Sequence, residues 1–401
     1  MKRFYENIVN QHFRSHKQML FLMGPRQVGK TTISKLIRRK KDVLYLNWDF
    51  ADDRKLILCG PTAVAEKAGI LTLKGKKPLI IFDELHKYRS WKGFIKGFYD
   101  VYHSKCQILV TGSAKLDVYQ RGGDSLMGRY FSYRIHPLSI AEIGTKTTPR
   151  APIRRTPKRV PDAAFKKLWT LGGYPEPYIK GTQIFSRRWQ RDRFSNFFRQ
   201  DIRDLTDVSN LDSIEHLAHL LQTFSGQLIS YETLARDIGV TGKTIKSWIQ
   251  ILKRIYYCFE VKPYYRNVSR SLRKEPKYYL WDWSNCKDDG ARAENFIASH
   301  LLKAIHFWND HGFGTYKLHF IRDRNKKEVD FLVTKDHEPW MLVEVKYSDD
   351  SLSPALIQFH EKLKTRFAFQ VVIDMPYTQA DCFKADAPLI VPARTFLAQL
   401  I

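Results

Sequence analysis

Gly24-Pro25-Arg26-Gln27-Val28-Gly29-Lys30-Thr31-Thr32 is the stretch whose reading decides the fold of this chain. It satisfies G-x-x-x-x-G-K-[ST] at every fixed position, and its flanks supply the context that the pattern requires. The apolar run Met19–Met23 precedes it and the helix-like segment Ile33–Arg39 follows, so the sequence predicts strand, glycine loop and helix in that order. Gly24 and Gly29 let the backbone curl until successive N–H groups, from Pro25's neighbours through Arg26, Gln27 and Val28, face phosphate oxygens. The first turn of the helix, with Thr32, adds its positive end to that cradle. Lys30 is placed to reach the β- and γ-phosphates, and the Thr31 hydroxyl to help hold Mg²⁺. An ordinary glycine turn before a helix would not require all of these residues together.

The second half of a nucleotide site lies downstream, in Leu79-Ile80-Ile81-Phe82-Asp83-Glu84. An apolar strand ending in two carboxylates is the Walker B pattern, with Asp83 on the metal's hydration shell and Glu84 orienting the water that attacks the γ-phosphate. Alone it is weak evidence; after a complete phosphate loop it implies hydrolysis. A further apolar run, Gln107–Val110, ends in Thr111-Gly112-Ser113, where Ser113, or alternatively Thr111, would sense the γ-phosphate. Arg129 follows Leu126-Met127-Gly128, a place from which an arginine finger would act.

Strand-like runs at Met19–Met23, Val43–Leu46, Leu79–Phe82, Ile108–Val110 and Arg129–Pro137 alternate with helical stretches, so the first segment reads as a mostly parallel α/β sheet. Hydrophobic residues make up 43% of the chain, enough for proper cores. The five cysteines lie far apart with no C-x-x-C pair, which excludes a disulfide framework and a structural zinc site and fits a reducing compartment. No signal-type segment and no run of membrane-spanning length is present, so the sequence predicts a cytoplasmic protein with no membrane partner. With 67 Lys+Arg against 41 Asp+Glu the formal net charge is +26, an excess that suits a polyanion, and nucleic acid first of all.

Residues 144–161, rich in Lys, Arg, Thr and Pro, read as a mobile basic loop. A helical pattern broken by Gly172-Gly173-Tyr174-Pro175 then runs to about Asn210 and suggests a small lid. From Leu211 the spacing is that of a helix-turn-helix. Ile214–Phe224 is a first helix, and Ser230 is a candidate cap for Tyr231–Ile238, which Gly239 closes. Thr241 or Thr244 caps Ile245–Ile255, and the whole has winged-helix spacing. Gly242-Lys243-Thr244 is no second phosphate loop, because Asp237 stands where the first glycine would be needed.

The last segment is α/β again: a helix at Ala291–His306, strands at Lys317–Ile321, Glu328–Val333 and Trp340–Lys346, a helix at Leu352–Lys364 and a strand at Phe367–Ile373. Glu344 and Lys346 share a face of their strand, and a hairpin would bring Asp330 beside them. Two carboxylates and an ammonium suit a Mg²⁺-dependent phosphodiesterase, with Asp330 and Glu344 holding metal and Lys346 positioning or deprotonating a water. Glu294, on the preceding helix, is a further candidate ligand.

Along most of its length the chain resembles the prokaryotic AAA+ ATPases that carry a winged helix and a C-terminal domain of the PD-(D/E)xK nuclease type. The matching residues are Gly24–Thr32, Leu79–Leu85, Thr111–Ser113, Gly128-Arg129, Pro137-Leu138-Ser139, Leu171–Pro175, Gly226, Ser230–Ile255, Lys277–Asp282, Glu328–Asp330 and Glu344–Lys346. Trp281-Asp282-Trp283-Ser284 departs from the resemblance, where a glycine-containing turn is expected after the aspartate. The resemblance implies a P-loop ATPase core at 1–145, a basic loop and helical lid at 146–210, a winged helix at 211–285 and a restriction-endonuclease-like domain at 286–401. It also implies the nuclease roles of Asp330, Glu344 and Lys346, the helix carboxylate Glu294, and Arg129 acting on a neighbour's ATP in a homo-oligomeric, hexameric ring. The functions to weigh are an ATP-driven DNA endonuclease using Mg²⁺ or Mn²⁺ on duplex or branched DNA, an ATP-dependent DNA- or protein-binding switch whose nuclease fold does not cut, and a protein remodeller.

Overall fold

The computed structural model describes residues 3–38, 42–72, 77–112, 126–202, 210–265 and 275–401. The chain divides into two compact units, one running to His136 and taking in Lys146–Thr148, the other made of Pro137–Thr145 and Pro149–Ile401.

The first unit contains α1 (Tyr5–Ser15), β1 (Met19–Met23), α2 (Lys30–Arg38), β2 (Val43–Asn47), α3 (Ala51–Leu58), α4 (Pro61–Lys67), β3 (Leu79–Asp83), α5 (Trp91–Tyr102), β4 (Gln107–Gly112) and β5 (Tyr130–Arg134). The strands form one sheet in the order β2-β3-β4-β1-β5, and each neighbouring pair is parallel. Every residue of β3 is buried, which is why it reads as an unbroken apolar run rather than an alternation. α5 turns Trp91, Phe94, Ile95, Phe98 and Tyr102 inward at helical spacing, and Phe82 meets Phe94 and Phe98 edge-on. Because the strands run the same way, β1, β3 and β4 end on one edge. There Met23 pairs with Gly112 and Asp83 with Thr111. The predicted parallel α/β sheet is the observed one.

The second unit begins with α6 (Ile140–Gly144), α7 (Asp162–Leu171), α8 (Pro175–Lys180) and α9 (Gln183–Asn196), which runs into a π-helical turn at Phe197–Ile202. Then come α10 (Leu211–Thr223), α11 (Tyr231–Ile238), α12 (Gly242–Arg254), β6 (Cys258–Pro263), β7 (Lys277–Leu280), α13 (Asp289–Asp310), β8 (Tyr316–Arg322), β9 (Glu328–Lys335), β10 (Glu338–Lys346), α14 (Pro354–Leu363), β11 (Phe367–Val372), β12 (Leu389–Pro392) and α15 (Ala393–Ala398). The helix-turn-helix spacing forms as three helices around Leu217, Leu221, Leu234, Ile245, Ile249 and Leu252. Gly239 closes α11 in the left-handed conformation, and of the two threonines it is Thr241 that caps α12, accepting from Thr244 N at 3.2 Å. β6 and β7 pair antiparallel as a wing would, but β6 also pairs parallel with β8. They therefore end a seven-stranded sheet, β12-β11-β10-β9-β8-β6-β7, which spans the expected boundary at residues 285 and 286.

The basic stretch read as mobile is tied down from Pro149 onward. Gln399 exchanges hydrogen bonds with the Arg154 backbone, at 2.8 and 2.9 Å. Trp308 Nε1 donates to the Pro152 carbonyl and the Tyr377 hydroxyl to that of Pro157. Prolines give this segment few donors, and side chains far along the chain use its carbonyls instead. Where a glycine turn was expected after Asp282, the aspartate itself supports the turn, accepting from Ser284 N at 3.3 Å and from the Ser284 hydroxyl.

Trp283 lies against Gly173, where an added Cβ would stand 2.4 Å from Trp283 Cη2, 2.8 Å from Pro137 Cβ and 2.9 Å from the Leu138 carbonyl. Gly173→Ala is therefore expected to destabilise the second unit by about 1–3 kcal/mol, since packed rings and backbone have to shift. An unchanged urea midpoint would contradict this reading of the contact.

Candidate active site

The phosphate loop is held from below by packing. A Cβ on Gly24 would lie 2.3 Å from the Ile135 carbonyl oxygen, so only glycine lets the loop seat against the end of β5. Gln27 (φ 62°) and Gly29 (φ 102°) turn the backbone back on itself. Arg3, which lies in no motif, donates to the carbonyls of Val28 and His136, each at 2.7 Å. Lys30 opens α2 three residues before the predicted start, because the loop runs directly into the helix. Its Nζ donates to the carbonyls of Gly24 (2.9 Å) and Pro25 (2.8 Å).

Asp83 is buried at the end of β3 and gathers three hydroxyls. Thr31 donates to Oδ2 at 2.9 Å, Tyr45 donates to the same oxygen, and Thr111 donates to Oδ1. Burial, and the bond to Asp83, push the Tyr45 phenol above its ordinary range, which keeps it a donor. Thr111 was the alternative to Ser113 at this strand end; Ser113 lies outside the described residues. Glu84 takes a left-handed conformation (φ 56°), and its carboxylate lies 3.8 Å from His86 Nε2. Burial lowers the His86 pKa to about 4 despite the carboxylate, with Lys30, Lys87 and Arg26 adding to the effect. His86 is thus neutral near pH 7, and its contact with Glu84 is not an ion pair.

Arg129 stands just before Tyr130, which pairs with Met19, the first residue of β1. The phosphate loop leaves the other end of β1, four residue steps or roughly 13 Å away. Arg129 instead forms a forked pair with Asp100, at 2.6 and 3.1 Å.

In the second unit, β9 and β10 form the expected hairpin. Asp330 Oδ2 accepts from Val345 N at 2.8 Å, and Lys346 Nζ donates to Glu344 Oε1 at 2.9 Å. Glu344 is buried, and its Oε2 has no hydrogen-bond partner among the described residues. Burial, reinforced by the charge of Glu294, pushes Asp330 up to about 7. Burial and the charge of Asp330 do the same to Glu344.

Glu294, the helix carboxylate expected beside them, has partners of its own. Its Oε1 accepts from Lys277 Nζ at 3.0 Å and from the Tyr279 hydroxyl at 2.6 Å. Lys277 also pairs with Glu328 at 2.6 Å. Burial opposes the charge on Lys277, yet Glu294, Asp330 and Glu328 hold its pKa above the usual lysine range. Among the described residues no group of three His, Cys, Asp or Glu side chains is arranged to hold a metal ion. Tyr45 carries no motif, and although Lys277, Tyr279 and Glu328 lie in stretches that carry the resemblance, their partners were invisible before the strands were paired.

Residues 16–144 match the family described as AAA domain, and residues 162–286 and 289–392 match two families each described as a domain of unknown function. The first segment is accordingly an AAA-type P-loop ATPase domain. Uncharacterized proteins of Mycobacterium bovis and Mycobacterium tuberculosis are each 24% identical over 264 residues, covering 66% of this chain and 54% of theirs. The chain thus spans about half the length of the curated relatives it matches. Among solved structures, a Walker-type ATPase of Pyrococcus abyssi aligns with a TM-score of 0.42 at 13% identity, over 70% of this chain and 93% of that one. A signal transduction ATPase with numerous domains from Pyrococcus horikoshii gives 0.24 at 10% identity, over 77% of this chain and 47% of that one. No helix among the described residues is long and apolar enough to cross a membrane.

The raised carboxyls make stability depend on pH in a definite direction. Unfolded, both lose their protons near pH 4; folded, they keep them up to about 7. The folded state therefore loses stability as pH rises through that window, where it binds more protons than the unfolded state. With metal chelated, Asp330→Asn should raise the melting temperature at pH 8 and raise it by clearly less at pH 5. The same shift at both pH values would remove the basis for the reading.

Proposed function

We propose that this chain is an ATP-hydrolysing, DNA-directed protein of the cytoplasm, whose N-terminal domain turns over ATP and whose C-terminal sheet carries a metal-dependent phosphodiester-cleaving site. The observation that carries the first half is the meeting of Thr31 and Asp83 at 2.9 Å beneath the loop of Lys30. A hydroxyl and a carboxylate side by side are hard oxygen donors that suit Mg²⁺. Bound there, Mg²⁺ would neutralise charge developing on the β- and γ-phosphate oxygens. The loop N–H groups and Lys30 bind and orient the triphosphate. Glu84 aligns a water for in-line attack.

For the second half, Asp330 and Glu344 suit Mg²⁺ or Mn²⁺, since the unpartnered Glu344 Oε2 and the two raised carboxyls both call for a cation. Such an ion would acidify a water and stabilise the leaving oxygen. Lys346 positions the scissile phosphate or that water. The hold of Lys277 on Glu294 favours a second reading, an ATP-dependent DNA- or protein-binding switch in which this fold does not cut. Arg129 serves the nucleotide of a neighbouring copy in a ring, six subunits being the size we propose.

Lys30→Ala is expected to abolish ATP turnover, and Glu84→Gln to keep nucleotide binding while lowering turnover at least a hundredfold, both read by phosphate release. Full turnover in Lys30→Ala sinks the ATPase assignment. Linear, forked and junction DNAs, offered with ATP and Mg²⁺ or Mn²⁺, separate the two readings of the C-terminal site. Cleavage lost in Glu344→Ala and Lys346→Ala supports the nuclease. DNA binding that falls steeply with salt, without cleavage under either metal, supports the switch.

A further inference from the structure

Beside the carboxylate hairpin lies an open groove of about 980 Å³, entirely within the second unit. Arg322, Arg324 and Lys326, at the end of β8 and the turn that follows, line one side, and Lys362 of α14 lines another. Tyr265 and Leu228 offer a half-buried ring and an exposed apolar side chain, and Phe320 forms part of the floor. The groove and the carboxylates are neighbours through shared residues. Lys277 Nζ sits over the Phe320 ring at 5.5 Å, and Glu328 bridges Lys277 to Arg322, at 2.6 and 3.2 Å. On β9, Glu328 and Asp330 are two residues apart and share a face.

Cations lining a groove with an aromatic ring beside them match the chemistry of a strand whose phosphates want charge and whose bases want a stacking surface. Glu275 and Asp323 also line the groove, so the cations are interrupted rather than continuous, which suits a strand threading between them more than a flat polyanionic surface. The space takes a few unstacked nucleotides.

We propose that this groove binds a single strand of nucleic acid, with phosphates on Arg324, Lys326 and Lys362 and a base against Tyr265, and leads it toward Asp330 and Glu344. The delivery to those carboxylates rests on the nuclease reading above; the binding does not. The full chain should be titrated, by fluorescence anisotropy over a range of salt, with a labelled DNA strand, the same sequence as RNA, and the DNA duplex. R324E/K326E/K362E should weaken single-strand binding at least tenfold and flatten the log–log salt slope by about 2, roughly 0.7 for each lost phosphate contact. Tyr265→Ala should weaken it on the order of tenfold through lost stacking. ATP turnover and the urea unfolding transition of the second unit should be unchanged in both variants, which reports that they fold. Binding of the DNA strand, the RNA strand or both supports the groove, and a preference names its natural ligand. Unchanged affinity and salt slope in the triple variant, or tighter binding of duplex than of either strand, overturns it. Groove-dependent binding without cleavage under Mg²⁺ or Mn²⁺ sinks the nuclease reading and leaves the groove standing.

Discussion

A buried carboxylate has to be supplied with donors, and in this chain that requirement at Asp83 fixes the geometry of the nucleotide domain. Its oxygens take hydroxyls from Thr31 on α2, Tyr45 on β2 and Thr111 on β4, each from a different element. An acceptor left without its donor costs about 1–3 kcal/mol, so each of the three ties its element to the end of β3. The parallel register supplies the alignment, with Asn47, Asp83 and Thr111 standing in one row across three strands. The phosphate loop is thereby indexed to the carboxylate through Thr31, the first residue after Lys30. Strand order, loop position and metal-binding chemistry are consequences of one saturated acceptor.

The second unit solves the converse problem around a buried cation. Lys277 on edge strand β7 is 4% exposed, and a charge so placed is tolerated only when it is paired. It reaches Glu294 on α13, Glu328 on β9 and the ring of Phe320 on β8, which fastens the β6–β7 hairpin to the rest of the sheet. Glu294 takes the Tyr279 hydroxyl as well as the Lys277 ammonium on one carboxylate oxygen. Burial, and after it the charge of a neighbouring carboxylate, pushes Asp330 and Glu344 each up to about 7, while Lys277 and Lys346 pull Asp330 the other way. The cation that fastens the sheet therefore tempers the charge at the hairpin without balancing it.

Much of the first unit was legible because its signals are local. The phosphate loop, the apolar run into Asp83-Glu84 and the end of β4 each lie within a few residues of one another, and the periods of strand and helix are unambiguous there. The partners of those residues were not legible. A tyrosine on a strand, such as Tyr45, looks like any other until β2 is placed beside β3. The basic stretch looked mobile because what holds Arg154 in place is Gln399, 245 positions away. β12 and α15, at four and six residues, are too short to show a period. Glu294 was identified as a carboxylate of the right helix; that a lysine from β7 would claim it depends on a sheet that crosses the expected domain boundary.

The polarity of the parallel sheet also bears on Arg129. Nucleotide binds where the strands end, whereas Arg129 lies where β5 begins, so one sheet cannot bring the two together. Its pair with Asp100 lies at the surface, and an exposed pair of this kind contributes at most about 1 kcal/mol. A finger that raises turnover by roughly 10³-fold supplies about 4 kcal/mol of transition-state stabilisation. The pair with Asp100 is thus a weak tether, and if Arg129 acts on nucleotide at all, the polarity of the sheet requires that nucleotide to be another copy's.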